Sequence, residues 1–133
     1  MNRLLDIGFR KVGTWDQTES GIAYTLDDCA DARNILYSFV CGQTVLYVGK
    51  TVQPLKKRMY GYQNPGPTQS TNIKGNRNIS DLLSDGKQVD IFALPDNGLL
   101  HFGAFHINLA AGLEDSIVKT LNPVWNKTGT ANK

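Results

Sequence analysis

One acidic residue near the carboxyl end of the chain stands where an ionised side chain is costly. At about 100° per residue, residues 107–121 predict a helix with an apolar stripe, formed by Ile107, Ala110, Leu113, Ile117, Val118 and Leu121. Glu114 falls within that stripe rather than on the polar side. An unpaired buried carboxylate is strongly destabilising. We therefore expect Glu114 to be protonated, to pair with Arg58 or Lys50, or to face a cleft where a metal ion binds.

Other chemically capable side chains occur at positions that can bring them near this acid. Tyr37 and Tyr47 lie on two predicted strands, and Lys50 follows the second strand. Arg58 and Tyr62 are four residues apart on a predicted helix, so they can reach the same point in space. A lone acid among basic and phenolic groups suits chemistry on a phosphate, with a divalent cation held by few protein ligands.

The charges are unevenly distributed, although the net charge is only +2. No acidic residue lies between Asp31 and Asp81, and seven bases give that stretch a charge of +7, which leaves −5 for the rest of the chain. The seven bases are Arg33, Lys50, Lys56, Lys57, Arg58, Lys74 and Arg77. Within this stretch, residues 63–77 are polar and aperiodic, which predicts a functional loop. We expect the region to face an anionic partner such as nucleic acid; the alternative is that its bases pair with acids elsewhere in the chain.

The elements that must position these residues fit one small domain of the α+β class. A length of 133 residues and a hydrophobic fraction of 41% are ordinary for a single globular domain. We expect a small, mainly antiparallel central sheet of three strands, flanked by helices, with a less regular segment that could supply a fourth strand. The predicted strands are 35–40, 45–48 and 89–94, with 99–105 as the fourth candidate. The predicted helices follow Thr51 and cover residues 79–84 and 107–121.

The first two strands form a predicted hairpin that decides whether the two tyrosines meet. If its loop has an odd number of residues centred on Gly42, Tyr37 and Tyr47 lie directly opposite each other. A loop with an even number of residues shifts the pairing by one residue and separates their faces. The pairing of the tyrosines is therefore conditional on the loop.

The remaining features exclude several classes of protein. No apolar run approaches the ~18 residues of a membrane helix, and the first residues do not resemble a secretory signal. The two cysteines, Cys29 and Cys41, are too few for a disulfide framework and lack metal-ligand spacing. We expect them to be buried thiols in a protein of the reducing cytoplasm. Residues 1–33 show no sustained period, so we expect them to serve in packing or in subunit contact.

The order of the candidate residues resembles that of the GIY-YIG nucleases. Leu36-Tyr37, followed ten residues later by Tyr47-Val48-Gly49, is similar to the paired tripeptides that name the family. The first tripeptide departs from the pattern, because Ile35-Leu36 stands where Gly-Ile would be. Three further matching residues follow in the order that the family uses: Arg58, Glu114 and Asn126. The resemblance covers residues 34–126 and is nearest to the phage enzymes and small type II restriction enzymes of the family.

The resemblance implies a GIY-YIG-like catalytic domain over residues 34–133, after an N-terminal extension of residues 1–33. The polar residues 63–77 would form a DNA-contacting insertion. The implied activity is metal-dependent hydrolysis of phosphodiester bonds in double-stranded DNA, with some sequence preference and one Mg²⁺ that Mn²⁺ can replace. The implied location is the cytoplasm of a bacterium or of a phage-infected host. Cutting both strands needs two active sites, so a homodimer or homotetramer is expected.

Each matching residue carries an implied role. Glu114 would hold the metal, Arg58 would contact the scissile phosphate, and Tyr37 would be the general base. A cation lowers the pKa of a phenol, and Lys50 is placed to supply that cation. The other implied catalytic residues are Tyr47 for orienting water or phosphate, Tyr62 for proton or phosphate contacts, and Asn126 for supporting the metal side.

The residues expected to contact nucleic acid are Gly49, Lys56, Lys57, Lys74 and Arg77. Two other functions stay open at this point. One is a non-catalytic DNA-binding module that retains the fold, and the other is an interaction protein whose basic middle binds an acidic partner.

Overall fold

The protein combines one central β-sheet with helices on both of its faces, which confirms the predicted α+β class. The computed structural model describes residues 1–95, 101–106 and 109–127. The helices are α1 (Asn2–Asp6), α2 (Leu55–Gln63), α3 (Ser70–Ser84), α4 (Leu109–Leu121) and a last 3₁₀ helix (Val124–Lys127). The strands are β1 (Arg10–Thr18), β2 (Gly21–Leu26), β3 (Ile35–Cys41), β4 (Thr44–Thr51), β5 (Val89–Pro95), β6 (His101–Phe102) and β7 (Phe105–His106).

The central sheet has five strands in the order β2-β1-β5-β3-β4, and every neighbouring pair is antiparallel. The predicted count of three was wrong, because residues 10–26 form a hairpin that joins β5. A bulge explains why the pattern of β1 was not visible: the register with β5 shifts between Lys11 and Gly13. Val12 and Trp15 are therefore both buried in the same core although they are three residues apart, which breaks the two-residue period of a strand.

The first 33 residues are thus part of the domain, and residue 34 is not a structural boundary. β1 pairs with β5 from Arg10 to Trp15, and Leu4 and Phe9 are buried in the core beneath α4. A subunit contact through this segment stays a prediction. Cys29 and Cys41 are free thiols that are half-buried rather than buried.

The fourth strand candidate, 99–105, lies partly outside the described residues. Its described part, 101–105, is not one strand: it contains β6, the turn that follows and the first residue of β7, and β6 pairs with β7 in a separate two-stranded hairpin. The predicted last helix begins at Leu109, and residues 107 and 108 lie outside the described residues. Among the described residues, no helix has both the length and the apolar character needed to span a membrane.

Two hydrophobic cores hold the helices against the sheet. On one face, α2 and α3 cover β1, β3 and β5 with a core that includes Tyr37, Phe39, Met59 and Ile79. On the other face, Leu36 and Val48 pack with residues of α4. Side chains alternate along β3 and β4, so consecutive residues of these strands point into different cores. This alternation determines which candidate residues can meet.

The predicted polar loop at 63–77 is largely helical. α2 ends at Gln63, and α3 begins at Ser70 rather than near Ile79. Its first half is rich in Ser, Thr, Asn and Gly, which have low helix propensity, so tertiary contacts rather than propensity stabilise this part. Asn76 provides one such contact, donating from Nδ2 to the Tyr62 carbonyl at 2.8 Å.

Candidate active site

The hairpin of β3 and β4 places the two tyrosines on the same face of the sheet by an irregular route. Its loop has an even number of residues, Gly42 and Gln43, between the paired Cys41 and Thr44. A bulge then shifts the register, so that Tyr37 lies opposite Gly49 and Tyr47 lies opposite Phe39. Tyr37 and Tyr47 are diagonal neighbours, with ring centroids 6.1 Å apart. The loop is even, but the separated faces expected for an even loop are not observed, because the extra residue of the bulge restores the shared face.

Gly49 is required by the packing of these two rings. A Cβ atom at this position would lie 2.7 Å from the Tyr37 hydroxyl and 2.8 Å from Tyr47 Cε2. Both rings therefore rest on the bare backbone of β4. This steric role is a direct physical reason for glycine at the end of the second tripeptide.

The hydroxyl of Tyr37 joins a short hydrogen-bonded network with two residues of α2. Its oxygen lies 2.6 Å from the Tyr62 hydroxyl oxygen, and Arg58 Nη2 donates to the same Tyr62 oxygen at 2.9 Å. Arg58 also stacks on Tyr62, with its guanidinium carbon 4.2 Å from the ring centroid. Arg58 and Tyr62 meet as their spacing on the helix predicts. Tyr37 and Tyr62 are both about 1% exposed, so the network is closed from solvent on the tyrosine side.

Asn72, on α3, is a member of this network that the sequence analysis missed. Arg58 Nη1 donates to Asn72 Oδ1 at 2.6 Å, and Asn72 Nδ2 donates to Gln69 Oε1 at 3.0 Å. The backbone N–H of Gly66 donates to the same Gln69 oxygen at 2.9 Å. The network thus continues from Arg58 into the turn that precedes α3. An asparagine in a polar stretch carries no distinguishing sequence signal, so only the fold identifies it.

Burial governs the acidity of the two phenols. It raises the pKa of Tyr37 well above the usual range for tyrosine; Tyr47 adds to the increase, and Arg58 opposes it without cancelling it. Burial likewise raises the pKa of Tyr62, with Tyr37 adding to the effect. The expectation that Lys50 lowers the pKa of Tyr37 is contradicted, because the net shift is upward and Lys50 is directed to another partner.

That partner is Glu114, on the opposite side of β4 from the tyrosines. Lys50 Nζ lies 3.8 Å from Glu114 Oε1, and the side chains are 47% and 27% exposed. Lys50 is in register with Leu36, whose side chain belongs to the core beneath α4. Glu114 is therefore neither sealed in the core nor tightly paired. Of the alternatives considered for this acid, the structure shows pairing with Lys50, in a loose contact that is partly open to solvent.

Asn126 hydrogen-bonds with its side chain to the backbone of the edge strand β4. Val48 N–H donates to its Oδ1 at 2.9 Å, and its Nδ2 donates to the Val48 carbonyl at 2.9 Å. The side-chain amide thus pairs with β4 as another strand would and fastens the 3₁₀ helix to the sheet. In this conformation the amide supports the sheet edge rather than a ligand. The neighbouring Trp125 packs partly buried against the core beneath α2 and α3.

Two solved structures have a fold similar to that of this chain. Bacteriophage T4 EndoII, solved as a glutamate-to-alanine mutant, matches with a TM-score of 0.73 and 19% identity, over 94% of this chain and 96% of that one. The restriction endonuclease HPY188I, solved with product DNA, matches with a TM-score of 0.55 and 16% identity, over 90% of this chain and 76% of that one. This chain has the fold of these two endonucleases. No family model and no curated protein matches the sequence.

The extent of the match also bears on the first 33 residues. Because 94% of this chain aligns with T4 EndoII, most of residues 1–33 belong to the shared fold.

The acidic side chains near the candidate site can provide few protein ligands to a metal ion. Within residues 1–95, 101–106 and 109–127, no three His, Cys, Asp or Glu side chains lie close enough together to bind one metal ion. Glu114 is one carboxylate that is partly open to solvent. Mg²⁺ commonly keeps several waters and binds through one or two carboxylates together with substrate phosphates, so a site with the single carboxylate of Glu114 is compatible with that metal.

The basic residues of the middle third are partly engaged with acids. Lys56 Nζ lies 2.8 Å from Asp31 Oδ1, and both side chains are at least half exposed. Exposed pairs of this kind contribute little stability, so Lys56 can exchange its partner for a phosphate. Lys57 and Arg77 are exposed, whereas Lys74 is half-buried beside the cleft between α3 and the sheet. The alternative in which bases pair with acids of the chain therefore holds for Lys50 and Lys56.

Proposed function

We propose that this protein is a metal-dependent endonuclease that hydrolyses phosphodiester bonds in double-stranded DNA, with a site of the GIY-YIG type. The observation that carries the proposal is the Tyr37–Tyr62–Arg58 network, which occurs on a fold shared with two DNA endonucleases. One of those enzymes was solved with product DNA, which supports duplex DNA as the substrate. The basic middle third supports the same partner.

Arg58 is proposed to bind the scissile phosphate. Its two terminal nitrogens each donate one hydrogen bond within the protein, and a guanidinium has five N–H groups. It can therefore bind a phosphate oxygen without releasing Asn72 or Tyr62. A cation fixed in this way stabilises charge that develops on the phosphate during hydrolysis. We expect the loss of Arg58 to reduce turnover more than affinity, since other basic residues also hold the DNA.

Tyr37 is proposed to accept the proton of the attacking water once DNA binding admits water to its hydroxyl, because the residue is only about 1% exposed in the free protein. Tyr62 is proposed to share that proton through the 2.6 Å hydroxyl contact. Burial opposes this role at neutral pH, because it holds the pKa of Tyr37 high. The active fraction of the enzyme should therefore grow as the pH rises. Tyr47, stacked on Phe39 beside Tyr37, is proposed to limit where water and phosphate can sit.

Glu114 is proposed to hold the Mg²⁺, with Mn²⁺ as a substitute. When bound, such an ion would neutralise charge on the phosphate and on the leaving oxygen. This requires the scissile phosphate to lie at the edge strand β4, which separates Glu114 from the network of Arg58 and the tyrosines. Lys50 pairs with the Glu114 carboxylate in the free protein, and this loose 3.8 Å contact permits exchange. Asn126 is proposed to act indirectly, by fixing the sheet edge that carries Tyr47 and Lys50.

Cleavage of both strands would require two such sites, and we propose a homodimer or homotetramer for that purpose. Light scattering of the purified protein, alone and with duplex DNA, tests this. A monomer in both conditions would restrict the enzyme to nicking.

The function itself is tested with supercoiled plasmid. The protein in Mg²⁺ is expected to yield nicked or linear products, and the same reaction in EDTA is expected to leave the plasmid intact. Arg58→Ala should bind the plasmid but cleave it far more slowly. Binding of duplex DNA without cleavage in Mg²⁺ or Mn²⁺ would instead establish a non-catalytic DNA-binding module.

A further inference from the structure

A cleft of about 480 Å³ lies beside the tyrosine network, between α3 and the edge of the sheet. Its inner wall is aromatic and includes Phe39, Tyr47, Tyr62 and Trp125. The Phe39 and Tyr47 rings stack at 26° with centroids 5.8 Å apart, and Tyr62 meets Phe39 edge-on at 5.2 Å. Tyr47 and Trp125 are only half-buried. The cleft therefore offers aromatic surface to a ligand.

The opposite wall of the cleft is polar and comes from one side of α3. Ser70, Lys74 and Asn78 line it at intervals of four residues, so a hydroxyl, an ammonium and an amide stand one above another along the helix. Gly75 lets this helix approach closely, because a Cβ there would lie 2.7 Å from the Tyr62 ring. One wall therefore suits a flat ring, and the facing wall suits hydrogen-bonding edges and an anion.

We propose that this cleft receives a single nucleobase extruded from duplex DNA. A nucleobase combines an aromatic face with donor and acceptor edges, and extruded bases are held by aromatic stacking together with hydrogen bonds to those edges. Tyr47 and Trp125 would contact the face of the base, Ser70 and Asn78 its edge, and Lys74 its phosphate. The inference rests on the proposed nuclease function and narrows its substrate to sites where one base is unpaired or easily unpaired.

The cleft adjoins the proposed reaction centre through Tyr62. The Tyr62 ring lines the cleft, while its hydroxyl contacts both Tyr37 and Arg58. An extruded nucleotide would thus lie next to the phosphate that Arg58 binds. Occupancy of the cleft would position that phosphate, and hydrogen bonding from Asn78 and Ser70 would give a preference for particular bases.

The test compares binding of a matched duplex with binding of the same duplex carrying one bulged thymine, both in EDTA so that no strand is cut. The wild-type protein is expected to bind the bulged duplex at least about tenfold more tightly, because the cost of unpairing one base is removed. Asn78→Trp should abolish this preference by filling the cleft. Ser70→Trp, at the exposed first residue of α3, is a second filling variant in case Asn78→Trp does not fold.

Thr68→Trp provides the matched control. Thr68 is exposed, lies just before α3 and does not line the cleft, so this variant adds the same bulk nearby and should keep the preference. Equal affinity of the wild-type protein for both duplexes, or a full preference in the folded filling variants, would overturn the proposal. Plasmid cleavage in Mg²⁺ is scored separately: cleavage without a bulge preference refutes only the base-binding cleft, whereas a bulge preference without cleavage supports the cleft and refutes the nuclease.

Discussion

Asn72 offers a way to separate catalytic positioning from simple stability. Asn72→Leu removes the 2.6 Å hydrogen bond from Arg58, together with the 3.0 Å hydrogen bond to Gln69, while approximately keeping the side-chain volume. A hydrogen bond to a charged group contributes roughly 1.5–3 kcal/mol. At roughly 3–5 °C per kcal/mol for a domain of this size, thermal unfolding should shift down by about 5–15 °C. If the same energy is lost from the transition state because Arg58 is misplaced, turnover should fall about 10- to 150-fold.

Asn72→Asp should cost less stability than Asn72→Leu but at least as much turnover. Its carboxylate can pair with Arg58, which preserves stability better than leucine does, but the pairing draws the guanidinium away from the phosphate. We expect turnover at or below that of Asn72→Leu, with KM changing little in either variant. The measurements are thermal denaturation and single-turnover cleavage of a labelled duplex.

Asn76→Leu is the matched control for this series. Asn76 lies on the same helix and donates to the Tyr62 carbonyl rather than to Arg58, so its loss should lower stability with a much smaller effect on turnover. Wild-type turnover in Asn72→Asp, or turnover that simply follows stability across the three variants, would refute the positioning role of Asn72.

Three further predictions concern other parts of the site. If Tyr37 acts deprotonated, as proposed, its raised pKa means that log turnover should rise with a slope near +1 as the pH increases above neutrality; a flat profile would exclude Tyr37 as the base. Gly49→Ala places a Cβ 2.7 Å from the Tyr37 hydroxyl and should destabilise the fold by about 1–3 kcal/mol, whereas Gly112→Ala, on α4 with open space around it, should stabilise it by up to about 1 kcal/mol in denaturant titrations. If all seven bases of the middle third contact phosphates, the logarithm of DNA affinity should fall against the logarithm of salt concentration with a slope up to about −6, and a slope near zero would remove that surface from the DNA interface.

The sequence predicted the parts of the fold that have regular periods. The β3–β4 hairpin, β5 and the apolar face of α4 repeat at strand or helix spacing, so their type could be read directly. The β1–β2 hairpin could not, because the bulge at Val12 places two buried residues three apart. The amino-terminal half of α3 was missed because its Ser, Thr, Asn and Gly residues have low helix propensity, and contacts such as that of Asn76 with Tyr62 stabilise it instead.

Contacts of the candidate site within one helix could be predicted from the sequence. Contacts that depend on the packing of separate elements could not. Arg58 and Tyr62 are one helical turn apart, and their contact follows from helix geometry alone. Tyr37 and Tyr47 lie on the same face of the sheet because of a bulge, and no residue in the hairpin predicts that bulge. Lys50 is adjacent to Gly49 in sequence, yet strand alternation sends it to Glu114 on the other side of the sheet. Asn72 reaches Arg58 only through the packing of α3 on α2.

The most direct test of the proposed function is plasmid cleavage by Glu114→Gln in Mg²⁺. This variant removes the charge of the single proposed metal ligand and preserves its shape. Cleavage should be lost while affinity for duplex DNA, measured in EDTA, stays at the wild-type level. Asp115→Asn, at the next position of α4 and exposed, should cleave normally. Undiminished cleavage by Glu114→Gln would contradict the metal-dependent mechanism proposed for this protein.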